Sequence, residues 1–411
     1  MTDRPHIVVL HRWRAHYALY DRYLDHSDNC VTYITTEVGA GGVPPGAAET
    51  VVVPATDDLV RVRKELDGLA ARHGGPRSIV ALKEDDLLVA AQLALEWNCC
   101  ARRPWELLPF RDKLLMAAAV SQAGLAVPTT AEAPDEAAVR AFLRAHGGPV
   151  VVKPRIGSSS EGVVRLDSGS GVASLSFAED APLIVQSHNP HPIYHVDGIF
   201  DGQDLMCWKA SRYLSTCLDF RAGQALGSVE EDRPEVLREI GRFTTRALHA
   251  LTSGPTPFHL ELFVRTNGKS APTCTFLEAG ARVGGAEIPY VWRDIHNYDL
   301  MEAAFRIALG RQPQPLTPKP EPETGGWLLV PAPATRPCVI TAITPMTARE
   351  SGPYAEDLLR EGDVLPDADA YYEHVGGRFR FRGTSSAAVQ RAIEITARDF
   401  RVTGETCGGP R

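Results

Sequence analysis

Apolar and polar positions divide the 411-residue chain into three patterns. Short unbroken apolar runs at 6–10 (H-I-V-V-L), 30–35, 50–53 and 78–82 predict strands buried on both faces, and the stretches 57–72 and 85–98 between and after them predict helices. That alternation marks a small doubly wound α/β domain ending near Pro104–Pro109. Next, F-R-D-K-L-L-M-A-A-A-V-S-Q-A-G at 110–124 predicts an amphipathic helix that Asp112 caps and Gly124 ends. Residues 149–166 read as two β-rich runs around a loop of small residues, and 258–265 and 273–279 as an antiparallel hairpin. The third pattern starts with a proline-rich stretch, 311–323, which reads as an extended linker. Beyond it, W-L-L-V-P, C-V-I-T-A-I-T and R-F-R-F-R predict strands of one small antiparallel sheet, and 385–400 an amphipathic helix. The alternating Arg378, Arg380 and Arg382 share one face of a strand and read as solvated edge protection. Cys407 to Arg411 reads as a frayed tail.

The hairpin carries the first chemistry. Glu261 in F-H-L-E-L-F-V and Glu278 in F-L-E-A-G-A-R each sit in an apolar run, where a carboxylate is costly unless a cation or partner offsets it. With a loop of residues 267–272, containing the Asn267-Gly268 turn, the two glutamates fall directly opposite each other, their Cβ atoms about 5 Å apart. Such a pair is a poor neighbour to itself and a good oxygen-donor clamp for Mg²⁺. Two unrelated glutamates on a half-solvated face are the plain alternative; Arg282 and the glycines Gly280, Gly284 and Gly285 at the same end of the hairpin weigh against it.

Upstream, Lys153 ends a strand beside the loop Gly157, Ser158, Ser159, Ser160, Glu161, Gly162. Small residues let backbone N–H groups approach phosphate oxygens, and the lysine adds a point charge. Alone, such a loop is more often a plain turn. Lys113 falls in the first turn of its helix, where the dipole disfavours a cation on a free surface but lysine and open N–H groups together attract an anion.

The order Lys113, Lys153 with its loop, Glu261, Glu278 and Arg282 resembles the ATP-grasp superfamily, and within it the carboxylate-amine (L-amino acid) ligases related to biotin carboxylase and carnosine synthase, over residues 108 to 310. The resemblance implies a multidomain α/β and α+β chain: a doubly wound N-terminal domain (1–107), a two-subdomain ATP-grasp core (108–184 with the Gly/Ser loop, 185–310 with the metal hairpin), the linker 311–323, and a small antiparallel C-terminal lid (324–411). It implies ATP and one or two Mg²⁺ ions, with Mn²⁺ able to substitute. Lys113 and Lys153 would meet the phosphates under Gly157, Ser158, Ser159, Ser160 and Gly162; Glu261 and Glu278 would hold the metal; Arg282, with Lys153, would serve catalysis. The segment 183–190 resembles a hinge strand reading the adenine, through Gln186, Ser187, His188 and Asn189, with His195 close behind. Substrate would meet His259, Arg282, Gly284 and Gly285. The activity implied is an ADP-forming C–N ligase that makes an amide or peptide bond through an acyl phosphate, with a small carboxylate and an amine as partners, and homodimerisation is compatible with it. Two departures stand out: Gly280 replaces the asparagine of the family's E-x-N-x-R pattern, and the hinge lacks the acidic residue that accepts the ribose hydroxyls. Alternatives are a carboxylase or purine-pathway enzyme phosphorylating bicarbonate or formate, disfavoured by A-R-V-G-G-A-E-I-P after Glu278, and a nucleotide-binding protein whose catalysis has decayed.

Composition narrows the field. A formal net charge of -8 argues against nucleic-acid binding, and no apolar run reaches the ~18 residues of a membrane span. The start M-T-D-R-P-H lacks a signal-like apolar region, and eight cysteines without C-x-x-C read as reduced cytoplasmic thiols. Three histidines, His188, His191 and His195, sit among prolines in no zinc-like frame. Ser158 to Ser160 lack the base of a hydrolase. The cluster Arg12, Trp13, Arg14, His16 and Tyr17, and further on Asp197, Lys209 and Arg212, are candidates for substrate contact with solvated loops as the alternative.

Overall fold

The computed structural model describes residues 4–13, 17–179, 181–266, 270–317, 323–366 and 375–406. Arg14, His16, the Asn267-Gly268 turn, the middle of the proline-rich stretch and the tail from Cys407 lie outside the described residues.

Strands β1 (His6–His11), β2 (Cys30–Thr35), β3 (Glu49–Val52) and β4 (Ser78–Ala81) form a parallel sheet in the order β3-β2-β1-β4. Every residue of β1 and β2 is buried. One face, with Val8, Leu10 and Ile34, packs on Val62, Leu66, Leu69 and Leu93 of helices Leu59–His73 and Leu87–Glu96. The other face, with Val9, Val31 and Tyr33, meets Tyr20 and then Trp292, Met301 and Phe305 of helices Ile288–His296 and Leu300–Ala308. Tyr23 also donates to Asp299 at 2.7 Å, across 276 positions of chain. At about 1.5–3 kcal/mol per fully buried large apolar side chain, this second face ties the N-terminal sheet firmly to the middle of the molecule.

Strands β5 (Thr130–Ala133), β6 (Val150–Pro154), β7 (Val164–Leu166) and β8 (Leu183–Ser187) make an antiparallel sheet, β5-β8-β6-β7. Val139 and Phe142 of helix Glu136–His146, capped by Asp135, cover it. The helix predicted at 110–124 runs Lys113–Gln122, with Asp112 accepting from Leu114 and Leu115 N–H and Gly124 in the left-handed region at its end.

The remaining described strands are β9 (Ile193–Phe200), β10 (Leu205–Tyr213), β11 (Leu226–Glu230), β12 (Thr256–Arg265), β13 (Thr273–Gly280), β14 (Thr324–Pro331), β15 (Cys338–Ile343), β16 (Ala355–Leu358), β17 (Val364–Leu365), β18 (Val375–Gly383) and β19 (Val402–Thr406). Eight of them form one antiparallel sheet, β13-β12-β9-β10-β11-β14-β18-β16, and three form a small one, β17-β15-β19. The C-terminal strands expected in a single small sheet therefore divide between two. The β14 residues Trp327, Leu328 and Leu329 are buried on both faces, and Phe379 and Phe381 of β18 are buried on one, where they join Leu328 under Val389 and Ile393 of helix Ser386–Asp399, so both strands extend the central sheet.

The arginine stripe is likewise not a solvated edge. β18 is an interior strand, and Arg378 and Arg380 turn onto the buried Glu287 carboxylate at 3.4 and 3.3 Å. Arg380 also reaches Asp294 at 3.0 Å and lies over the Tyr290 ring, while Arg382 lies over Tyr354. A buried carboxylate demands such partners, and Glu287 gave no local hint of its burial. Among the described residues, no helix is long and apolar enough to cross a membrane.

Candidate active site

The hairpin places Glu261 directly opposite Glu278. It reaches that register by a different route from the one the loop predicts: Arg265 pairs with Thr273, and an extra residue at Leu277 shifts the ladder so that Leu262 faces Phe276 and Glu261 faces Glu278. On the other side, β12 pairs with β9, setting Glu261 beside His195 and His259 beside Asp197. Glu261 accepts from the Tyr213 hydroxyl at 3.0 Å and lies 3.4 Å from His259 Nε2. Burial alone would raise the Glu261 pKa, but His259, with Tyr213 and His195, outweighs it and holds the carboxyl below its usual range.

The cations converge on the same place. Lys153 is buried, with Nζ 3.9 Å from Glu278 Oε2. Burial pulls its pKa down, with nearby Lys113 adding to the shift and Glu278 opposing it. Lys113 Nζ donates to the Gly157 carbonyl at 2.8 Å, which docks the loop on the helix. In that loop Ser159, Ser160 and Gly162 have φ of 56°, 54° and 66°, so successive peptides turn away from the regular ladder between β6 and β7. Arg221 holds it from the far side through the Ser159 carbonyl at 3.2 Å.

Ser158, Ser159 and Ser160 help to line a cavity of about 230 Å³ whose floor includes Glu261, Glu278, His259, Arg282, Gly284 and Gly285. Trp13, Tyr17, Tyr213 and Trp327 give it an aromatic wall, and Glu84 and Asp85, just beyond the end of β4, give it an acidic one. Arg12, from the same cluster as Trp13, is spent on Asp57 and Asp86 at 2.7 and 3.1 Å. Arg282 Nε meets Glu84 Oε2 at 2.6 Å, and Arg111 meets the other Glu84 oxygen at 2.9 Å. Burial by itself would raise the Glu84 pKa; Arg282 and Arg111 outweigh it and keep the carboxylate ionised.

A chain of buried polar groups backs this floor. Asp197 is shared between His195 Nδ1, at 2.5 Å, and His259 Nδ1, at 2.8 Å, while His195 Nε2 meets Ser228 Oγ at 2.7 Å. Burial lowers the His259 pKa, but Asp197 more than reverses that and lifts it to about 9. His195, Asp197 and His259 also form the one close group of metal-type donors among the described residues, already joined by their own hydrogen bonds.

Other sequence candidates stand apart from the cavity lining. Gln186 donates to Thr130, the Ser187 hydroxyl accepts from the Thr129 N–H, His188 N–H donates to the Pro149 carbonyl, and Asn189 accepts from the His191 N–H. They lie along and just after β8, in the sheet that also carries Lys153. Arg212 donates to Gln390 at 2.7 Å. Lys209 pairs in register with Asp197. The sequence candidates omitted Glu84, Asp85 and Tyr213. K-E-D-D directly after a parallel strand was a usable signal, because ligands of such sheets gather at the carboxyl ends of the strands.

No family model and no curated protein sequence matches the chain. Solved structures do. The L-amino acid ligase from Bacillus licheniformis superposes with a TM-score of 0.74 at 16% identity, covering 98% of this chain and 100% of that one. N5-carboxyaminoimidazole ribonucleotide synthetase from Thermotoga maritima gives 0.68 at 13% identity, with 98% and 100% covered. A biotin carboxylase–beta-gamma-ATP complex from Campylobacter jejuni gives 0.66 at 13% identity, with 97% and 92% covered. All are ATP-grasp enzymes, and the chain has the ATP-grasp fold along nearly its whole length.

Proposed function

We propose that the chain is an ATP-dependent ligase that joins a small organic carboxylate of amino-acid size to an amine, forming an amide bond and releasing ADP and phosphate. One observation carries the proposal: Lys153 lies 3.9 Å from Glu278, and Ser158 to Ser160 line the same cavity as Glu261, Glu278 and Arg282. A triphosphate, a metal and an acyl acceptor need those groups within one another's reach.

Glu261 and Glu278 fit a magnesium ion, since two facing carboxylates leave the rest of the shell to water and phosphate oxygens, the donor set that ion takes. When bound, the ion would neutralise charge on the phosphate oxygens. Lys113 and Lys153 bring two more positive charges, and the loop's turned peptides offer N–H groups above them. A substrate carboxylate oxygen attacks the γ-phosphorus as the bond to ADP breaks; such a transfer depends on positioning and charge neutralisation rather than on a protein nucleophile. Arg282 meets the charge on the resulting acyl phosphate. The amine nitrogen then attacks the acyl carbon, phosphate leaves with the C–O electrons, and the proton lost from the nitrogen passes to that phosphate. The aromatic side chains on the wall would limit the access of water, which would otherwise hydrolyse the acyl phosphate.

The cavity favours an organic substrate over bicarbonate or formate. Its about 230 Å³ equals the room of about eight waters at ~30 Å³ each, and Leu226, Val283, Ile288 and Met301 join the aromatic residues in lining it. The test is an ADP-release screen over pairs of amino acids, with Glu278→Gln and Arg282→Ala as controls. Release that needs two amino acids and is lost in both variants is expected. Release stimulated by bicarbonate alone, or tight ATP binding with no release for any pair, would overturn the proposal.

A further inference from the structure

Position 280 has no side chain, and the space for one is filled from the other end of the molecule. Gly280 lies two residues beyond Glu278 on β13, on the same face, opposite His259. A Cβ there would lie 2.6 Å from Glu84 Oε2 and 3.3 Å from the rest of that carboxyl group. Any residue larger than glycine would push the Glu84 carboxylate off its place. Glu84 follows the last strand of the N-terminal sheet, 198 positions before Arg282, whose Nε it holds.

That grip fixes how Arg282 faces the cavity. A guanidinium has five N–H donors in a rigid plane. Glu84 takes the one on Nε and the Val283 carbonyl takes one on Nη1 at 3.0 Å, so three remain for whatever enters the cavity that Arg282 lines. The two anchors sit on opposite edges of the guanidinium, Nε on one and Nη1 on the other, and together they fix the orientation of its plane. Arg111, buried and bound to the second Glu84 oxygen, prevents Glu84 from following Arg282 if it swings.

We infer that Glu84 is a positioning residue for Arg282, acting across the junction between the N-terminal sheet and the metal hairpin, and that Gly280 exists to leave room for it. The inference rests on the ligase reading for the reaction Arg282 serves, but the contact itself does not. If the fork is aimed by Glu84, the catalytic effect of losing that contact passes entirely through Arg282.

The experiment combines kinetics with a direct view of the arginine. Glu84→Gln, Gly280→Ala and the double variant are assayed for ADP release with the amino-acid pair found by the screen, beside Arg282→Lys. Glu84→Gln should lower kcat roughly 10- to 100-fold, the size of one charge-assisted hydrogen bond, while the KM for ATP stays within twofold. Gly280→Ala should act in the same direction, and the two changes together should cost little more than either alone, since both release the same guanidinium. In arginine-labelled protein, the Nε–H signal missing from Arg282→Lys should be protected from exchange in the wild type and lose that protection in Glu84→Gln. An active wild type with unaltered kcat in Glu84→Gln, or additive effects of the two substitutions, would overturn the inference. If the wild type releases no ADP, the ligase reading fails by itself, and an Nε–H signal indifferent to Glu84→Gln then overturns the positioning claim separately.

Discussion

Replacing Glu278 by glutamine keeps the shape of the hairpin and removes one of its two facing charges, so it tests the metal role proposed for the pair. In the ligand-free protein the change should be nearly silent: Glu278 loses an attraction to Lys153 at 3.9 Å and is relieved of repulsion from Glu261 opposite. It is also 40% exposed, so water screens both effects. The consequence appears on binding. A non-hydrolysable ATP analogue with Mg²⁺, present at a hundred times its dissociation constant, stabilises a protein by about 2.7 kcal/mol. With an unfolding entropy of roughly 2.1 cal/mol/K per residue, cooperative unfolding of all 411 residues turns that into an upward shift of about 3 °C in Tm. If Glu278→Gln weakens binding tenfold, the stabilisation falls to about 1.4 kcal/mol and the shift to below about 2 °C. Scanning calorimetry with and without EDTA measures both. An identical Mg²⁺-dependent shift in wild type and variant would refute the assignment of the glutamate pair, and a wild-type shift insensitive to EDTA would refute the metal itself.

Lys153→Met should separate stability from binding, because it removes a buried cation whose charged form burial already disfavours: the ligand-free Tm should hold or rise by an amount worth about 1 kcal/mol, while the nucleotide-induced shift disappears. Gly198→Ala should cost about 2–3 kcal/mol in urea unfolding, since its Cβ would overlap the Cys207 carbonyl and lie 2.9 Å from Trp208 Cα between two central strands; a loss below about 0.5 kcal/mol would show that the β9–β10 ladder yields. His11 is buried, which pulls its pKa from 6.5 down to about 4. The unfolded chain therefore binds the extra proton first as pH falls, so stability drops between pH 6.5 and 4 by up to about 3 kcal/mol. His11→Gln should flatten that part of the profile, and an unchanged slope would refute the burial argument.

What the chain reveals locally and what it hides follow from how far apart the partners lie. The runs at 6–10, 30–35 and 78–82 are legible as strands because both of their faces are buried, but the sequence cannot say that helices Ile288–His296 and Leu300–Ala308 cover one of those faces. Alternation along β12 and β13 brings Glu261 opposite Glu278, yet the extra residue at Leu277 is invisible, because one added residue in F-L-E leaves the local pattern looking regular. The stripe Arg378, Arg380 reads as solvent-facing until Glu287, in a different segment, is found buried beneath it.

The same logic explains why Gly280 is conspicuous in the sequence while its explanation is not. A charge taken out of water must be paired where it ends up, so an acidic run such as K-E-D-D and an arginine such as Arg282 are each half of a statement until the fold brings them together. Glu84 has two candidate fates in the sequence, a solvated turn or a buried partner, and only the latter requires a glycine at 280. A missing side chain at 280 and a buried carboxylate at 84 are then one structural decision, in which the group that fills the space beside Gly280 comes from the segment that follows the N-terminal sheet. The aim of Arg282 is thereby coupled to the seat of the N-terminal sheet: any motion that separates that sheet from the hairpin must break the 2.6 Å contact between Glu84 and Arg282 and leave the guanidinium held by the Val283 carbonyl alone.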